Sequence, residues 1–347
     1  MFAARAPIDI GGSCGGRLAA AFVLAVLAAG MPGAWAQQLP PAAATWTLSA
    51  PFAKDEEARM NLSGAACVPT TPPFTFCLIV NDQKKYAQFF ALEGTTIVPG
   101  AVIRLVDKGA DGDPDAEGAA YDGDYFYVVG SHGRSRHANK PNDSSYAVFR
   151  FPVDRITGKT PFPVSEDEVV GVEPSARLRE AIMNGDIIKD FYDKPLARNG
   201  ANIEGIAVRD GRMHLGLRGP SGHEHALVVS VDVAAAFTKD EDLKAAVRWL
   251  KLGKDTGIRD LASVRDGVLV LSGPVNDQPV EPAVFLWDDK GGALRKLAEL
   301  QPPQGKQGEL KAETLLVLDD SRADAFRILV MFDGQENGAP TEYLVPR

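Results

Sequence analysis

NIEGIAVRDGRMHLGLRGP, residues 202–220, sets an acidic residue before a glycine, then a short apolar run, an Asp-Gly pair, a second apolar run and Arg-Gly-Pro. Asp-Gly between two apolar runs favours the positive φ angles of a tight hairpin turn, so the stretch reads as two antiparallel strands. Looser copies lie on either side. They are NLSGAACVPTTPPFTFCLIVNDQKK from Asn61, DAEGAAYDGDYFYVVGSHGRSRH from Asp115, GIRDLASVRDGVLVLSGPVNDQ from Gly257 and KAETLLVLDDSRADAFRILVMFDGQEN from Lys311. The third position of each motif is Ser63, Glu117, Glu204, Arg259 and Glu313, at spacings of 54, 87, 55 and 54 residues. Three nearly equal intervals and one enlarged by an insertion indicate a repeated structural unit.

A third strand follows in each unit (YAQFFAL, YAVFRFPV, HALVVSV, AVFLW and EYLVP), and a fourth reads in AVIRLV, VVGVE, AVRWLKL and LRKLAEL. Four antiparallel strands in about 55 residues is the size of a propeller blade. The expected fold is all-β, a single β-propeller over residues 46–347. The count gives five blades, or six if the 87-residue interval hides a degenerate one; a β-sandwich is the structural alternative. The last unit ends before its fourth strand, and WTLSAPF, residues 46–52, is expected to supply it and close the ring. Residues 174–192, with Leu178, Ile182 and Ile187 at helical spacing, read as a helical insertion that decorates a loop.

Residues 1–36 read as a signal peptide. Arg5 and Arg17 supply the positive region, residues 18–31 an apolar stretch too short to span a bilayer comfortably, and Ala34-Trp35-Ala36 a cleavage site. An uncleaved anchor is the alternative. Residues 37–45 would form a flexible start of the mature chain, which is then periplasmic or secreted, without membrane insertion after cleavage, and a monomer. Losing Arg5, Arg17 and Asp9 takes the net charge from −9 to −10, a poor match for nucleic acid. Cys14 leaves with the peptide, and Cys67 and Cys77 remain for one disulfide, with two free buried thiols as the alternative.

In such a propeller the loop entering the first strand of a unit and the loop leaving the second lie at the same end. Those loops are glycine-rich and carry most of the unusual polar groups, whereas the turns at the other end are short. This end is therefore the expected functional face. Glu117, Glu204 and Glu313, with Ser63 and Arg259 in the equivalent places, are expected at the mouth of the central channel. Carboxylates gathered there repel one another unless a cation intervenes, and either Arg259 or Ca2+ can be that cation. Asp111-Gly-Asp113-Pro-Asp115-Ala-Glu117 resembles the start of a calcium loop, with Asp113, Asp115 and Glu117 as ligands; a solvated acidic turn is the plainer reading. Ser131, His132 and Arg134 leave the second strand of the second unit, with His132 as general base or ligand. Arg218 and Arg259 suit a carboxylate or phosphate, and Arg218 can equally pair with Glu204. His223 and His225 share a face of a strand and form a weak metal pair.

The paired segments beginning at Asp115 and Asn202 resemble the bacterial family called domain of unknown function 3616, over roughly residues 55–345. More distantly, the Glu-Gly strand starts look like those of phytase-like and esterase-like secreted propellers. That likeness implies metal-assisted hydrolysis of an ester or phosphoester. No residue role carries over from that likeness; it is their expected place at the channel mouth that makes Glu117 and Glu204, with His132, the candidate catalytic set. Arg218, Arg259, Ser131, Arg134 and Glu313 would hold a small anionic or ester ligand. The competing expectation, from the same loops, is a non-catalytic propeller that binds a ligand, glycan or protein. Channel-mouth residues engaged in Glu–Arg pairs would favour that second reading.

Overall fold

The structure, a computed structural model, describes residues 38–69, 74–134, 140–184, 188–192, 194–304 and 310–347. The proposed signal peptide, Cys14 and Ile187 lie outside them. Strand β1 (Thr47–Leu48) precedes a short helix α1 (Glu56–Met60) capped by the Asp55 carboxylate. The first blade follows as β2 (Leu62–Val68), β3 (Phe74–Asn81), β4 (Tyr86–Glu93) and β5 (Thr96–Arg104). The second blade is β6 (Ala116–Tyr121), β7 (Tyr125–Gly130), β8 (Val148–Pro152) and β9 (Glu173–Ser175). The third is β10 (Asn202–Arg209), β11 (Arg212–Gly219), β12 (His225–Asp232) and β13 (Ala246–Lys251). The fourth is β14 (Thr256–Val264), β15 (Gly267–Pro274), β16 (Ala283–Trp287) and β17 (Leu294–Glu299). The fifth holds β18 (Lys311–Asp319), β19 (Ala325–Asp333) and β20 (Thr341–Pro346). Within each blade neighbouring strands run antiparallel.

Alternation along each strand sends successive side chains to opposite faces, and here each face meets a different neighbouring blade. Leu315 packs toward blade four, whereas Leu316 packs toward blade one. Five apolar cores result, one for each junction between adjacent blades. The core at the junction of blades five and one joins Leu316, Leu329 and Met331 to Trp46, Ala65 and Ile79, which closes the ring. The fold is a five-bladed β-propeller.

Three expectations change. Residues 46–52 do not complete blade five: β1 pairs in parallel with β5 at the outer edge of blade one, and the fifth sheet keeps three strands. The chain arrives obliquely. Leu39 bridges Leu300 beside blade four, the Ala42 amide donates to the Glu342 carbonyl on β20, and Trp46 Nε1 donates to Glu342 Oε2 at 2.9 Å. Pro40 and Pro41 have no N–H to give, so this segment cannot build a ladder along β20. The insertion does more than decorate a loop. Leu178 and Ile182 of α2 (Leu178–Asn184), then Ile188 just ahead of α3 (Lys189–Tyr192) and Tyr192 within it, are buried in the core between blades two and three. The fourth strand of blade two is Glu173–Ser175 rather than VVGVE, overlapping it only at Glu173.

The hairpin signal holds best in the opening segment, where Asp210 and Gly211 both have positive φ, 49° and 74°. Cys67 and Cys77 face each other across β2 and β3 and form a disulfide, with Cα atoms 3.9 Å apart.

The Glu-Gly motif has a packing cause. A Cβ on Gly64 would stand 2.6 Å from the Cα of Gly118 on the next inner strand, and one on Gly205 would stand 2.7 Å from the Leu261 nitrogen. The obstructing atoms are backbone, which cannot step aside. We expect Gly205→Ala to cost roughly 1–3 kcal/mol by overpacking. Gly222→Ala, whose added atom meets open space, should stay within about 0.5 kcal/mol of the parent. Urea denaturation of the two variants checks both values.

Candidate functional site at the channel mouth

Each inner strand breaks register near its start. The breaks fall between Leu62 and Ala65, Ala116 and Gly118, Ile203 and Gly205, Ile258 and Asp260, and Ala312 and Thr314. The residues left over are Ser63 with Gly64, Glu117, Glu204, Arg259 and Glu313. A bulge leaves its extra residue outside the ladder and re-aims the side chain. The repeat position read from sequence is thus a bulge position in all five blades. None of Ser63, Glu117, Glu204, Arg259 and Glu313 is more than 8% exposed.

Four of the expected residues form one buried ion-pair chain. Arg218 Nη1 donates to Glu204 Oε1 at 3.1 Å, and its Nε donates to the Val275 carbonyl at 2.6 Å. Arg259 lies 3.6 Å from the other oxygen of Glu204 and pairs also with Glu313. Burial pulls the Arg259 guanidinium down to about 10, against the opposing pull of Glu204. It therefore stays charged at neutral pH. Asp260, which the sequence reading missed, is buried beside it. Its carboxylate accepts the amides of Leu261 at 2.8 Å and of Leu315 at 2.7 Å, joining blade four to blade five. Burial pushes its pKa up, and the two amides oppose that shift. The available signal was IRDL, with Asp where three other units have glycine.

On the other side of the channel, Glu117 comes together with Asp115 and with Asp82, a second residue the sequence reading missed. Their carboxylate oxygens all lie within 4.8 Å of one another. Burial first, then the charges of Glu204, Asp115 and Asp82, holds the Glu117 carboxyl well above the usual range. Asp113 is not in this group; its backbone carbonyl accepts from Asn142 Nδ2 at 3.0 Å. Ser131 orients the cluster, since its hydroxyl and its amide both bond to Asp115.

His132 is fully buried, and neither ring nitrogen has a hydrogen-bond partner. Its ring packs on Tyr146 at 5.9 Å, and burial lowers its pKa to about 3. It is a buried, neutral imidazole at pH 7. Arg134 is part-buried and bridges Pro141. His225 turns Nδ1 to the His223 carbonyl at 2.6 Å, so that loop is held by its own backbone and the two rings do not converge.

Two openings flank this buried ring. One is a cavity of ≈ 360 Å³ in the other half of the channel, lined by Ala65, Ala119, Ile206, Leu261 and Leu315. The other, on the loop-rich end between blades three and four, is a polar pocket of ≈ 300 Å³. Asn199, Ser221, Asp255, Asn276 and Gln278 line it, with Val275, the residue whose carbonyl holds Arg218.

A closed ring of five sheets with a bulged, charged inner rim defines the chain as a five-bladed propeller with a polar channel mouth. Within that class it belongs to the family described as "Protein of unknown function (DUF3616)", whose model matches residues 81–151 and 166–342. No curated protein matches the chain in sequence. Among solved structures it is similar to an exo-β-1,3-galactanase from Phanerochaete chrysosporium at 10% identity, covering 89% of this chain and 64% of that one, TM-score 0.47. A GH43 β-1,3-galactosidase gives 9% identity, 90% and 60% coverage and a TM-score of 0.48. The major allergen Mala s 1 of Malassezia sympodialis gives 14%, 82% and 78%, and 0.37. The chain spans about three fifths of the length of the two glycosidases. These likenesses concern the fold alone.

Two outcomes follow from the geometry. Arg259→Leu leaves Glu204 and Glu313 buried without this partner, and should cost about 3–5 kcal/mol in chemical denaturation. His132→Phe keeps a ring but cannot titrate. Between about pH 6.5 and 3 the unfolded wild type binds a proton at His132 that the folded chain refuses, so this residue removes stability as pH falls through that window. The variant should therefore lose less stability than wild type from pH 7 to pH 4, as read by circular dichroism.

Proposed function

We propose that the protein is an exported propeller that binds a small polyhydroxylated ligand, a sugar or short glycan, at the loop-rich end without turning it over. The observation that carries this reading is the pocket between blades three and four. Beside Ala197 and Val275, its lining residues Asn199, Asn276, Gln278, Ser221, Asp255 and Arg198 bring amide, hydroxyl, carboxylate and guanidinium groups, which match hydroxyls able to donate and accept at once. Asn199 exchanges two hydrogen bonds with the backbone of Ser221, which fixes one wall. Gln278 accepts the Asn276 amide at 2.7 Å, which fixes the other. Rigid walls with polar groups left over are what an oriented small-molecule site requires. Export accords with the disulfide, which persists in oxidising compartments.

Binding leads over catalysis because Arg218, Arg259, Glu204 and Glu313 are engaged with one another and His132 is buried. Titration calorimetry against a panel of neutral and acidic oligosaccharides should find a ligand whose affinity falls at least about tenfold in the Asn276→Ala, Gln278→Ala double variant. Absence of any binder, or a binder indifferent to that change, would sink the reading. Hydrolysis of an ester or phosphoester remains the second reading. One observation favours it: the protonation-prone carboxyl of Glu117 lies near Glu204, which two arginines hold, a pairing that separates acid from base. Turnover of such a substrate by wild type but not by Glu117→Gln would move catalysis ahead of binding.

A further inference from the structure

We propose that Asp82, Asp115 and Glu117 bind a divalent, oxygen-seeking cation, Ca2+, where blade one meets blade two. The site is separate from the amide pocket and stands or falls without it.

The first observation is the cluster itself, three carboxylates with oxygens within 4.8 Å of one another. That spread is what a Ca2+ ion with oxygen ligands at about 2.3–2.6 Å can bridge. The second observation is the state of Glu117. It is only 5% exposed, yet among the described residues its carboxylate accepts no hydrogen bond and meets no cation within ion-pair distance. Arg259 is the cation that most lowers its pKa, but that guanidinium is held by Glu204 and Glu313. The rest of the rim shows how differently this protein treats buried carboxylates. Glu204 has two arginines, Glu313 has one, and Asp260 has two backbone amides. Glu117 alone in that set is aimed at other carboxylates.

The donor chemistry selects the ion. Three carboxylates offer up to six oxygens, with water completing the shell, and their irregular placement on a strand end, a strand entry and a bulge suits the loose geometry of Ca2+ better than the strict octahedron of Mg2+. His132, one residue beyond the orienting Ser131, turns its ring to Tyr146, so among the described residues no imidazole joins the cluster to favour zinc. Asp82 lies just beyond β3 and Asp115 just before β6, so a bound ion would clip two blades together.

The test uses the mature chain stripped with chelator and then titrated calorimetrically with Ca2+. We expect one ion per chain and a rise in melting temperature with calcium. Asp82→Asn and Glu117→Gln should each weaken binding by roughly tenfold or more, and Asp113→Asn should leave it unchanged. Glu117→Gln also separates this role from a structural one. Without calcium it should melt no lower than the parent, because it removes an uncompensated buried charge, whereas loss of a structural contact would lower the melting point. No saturable binding up to about 10 mM Ca2+, tighter binding of Mg2+, or unchanged affinity in Glu117→Gln would each overturn the proposal.

Discussion

Inner strands meet backbone to backbone around the axis, and this close approach sets the terms for everything else in the molecule. Gly64 against Gly118, and Gly205 against the Asp260–Leu261 backbone, leave no room for a side chain. With the strands so close, the residue just before each glycine is thrown out of the ladder, and its side chain takes the axial space. A bulge stands at the same place in all five blades, including blades four and five, where Asp260 and Thr314 replace the glycine, and the mouth of the channel is filled by whatever residue type the bulge carries. Alternation along the same strands divides the remaining side chains between the two neighbouring junctions, which is why there are five cores rather than one.

Filling that space with charge is costly unless the charges are matched, because ions lose most of their hydration there. Three blades supply acids, one an arginine and one a serine. Arg259 and the neighbouring Arg218 compensate Glu204 and Glu313, and Asp260 draws on strand-edge amides instead. The rim is therefore divided. Its blade-three to blade-five side pairs its glutamates with Arg218 and Arg259, and its blade-one to blade-two side gathers the carboxylates of Asp82, Asp115 and Glu117. Such a division belongs to the inner strands and does not depend on the outer loops.

Much of this was legible in the chain. The recurrence of Ser63, Glu117, Glu204, Arg259 and Glu313, at three near-equal intervals and one enlarged by an insertion, gave the blade count, Asp-Gly pairs located hairpins, and two cysteines ten apart paired across adjacent strands. The positions of the channel residues were legible too, since they share a place in the repeat. Their partners were not. Asp82 lies in a loop beyond a different strand, and Asp260 stands where three other units have glycine, so neither belongs to a pattern that spacing reveals. His132 misled because sequence shows which loop a residue is in but not which way its ring turns, and here it turned into an aromatic core. The closing strand misled for a simpler reason. WTLSAPF has strand character, but Pro40 and Pro41 ahead of it bar a regular approach along β20.

That N-terminal segment reaches beside blade four, touches the edge of blade five and ends paired to blade one. Other propellers can lock their ring by sharing strands from both termini within one sheet. Here the lock is a belt fastened at three separate points, with a three-stranded blade beneath it. Opening of the molecule thus has a natural seam. Releasing the belt exposes β20, the last strand of the chain, while the four earlier sheets keep their own ladders and junctions. Amide exchange would enter the molecule there, along the outer edge of β20, while its ladder to β19 holds.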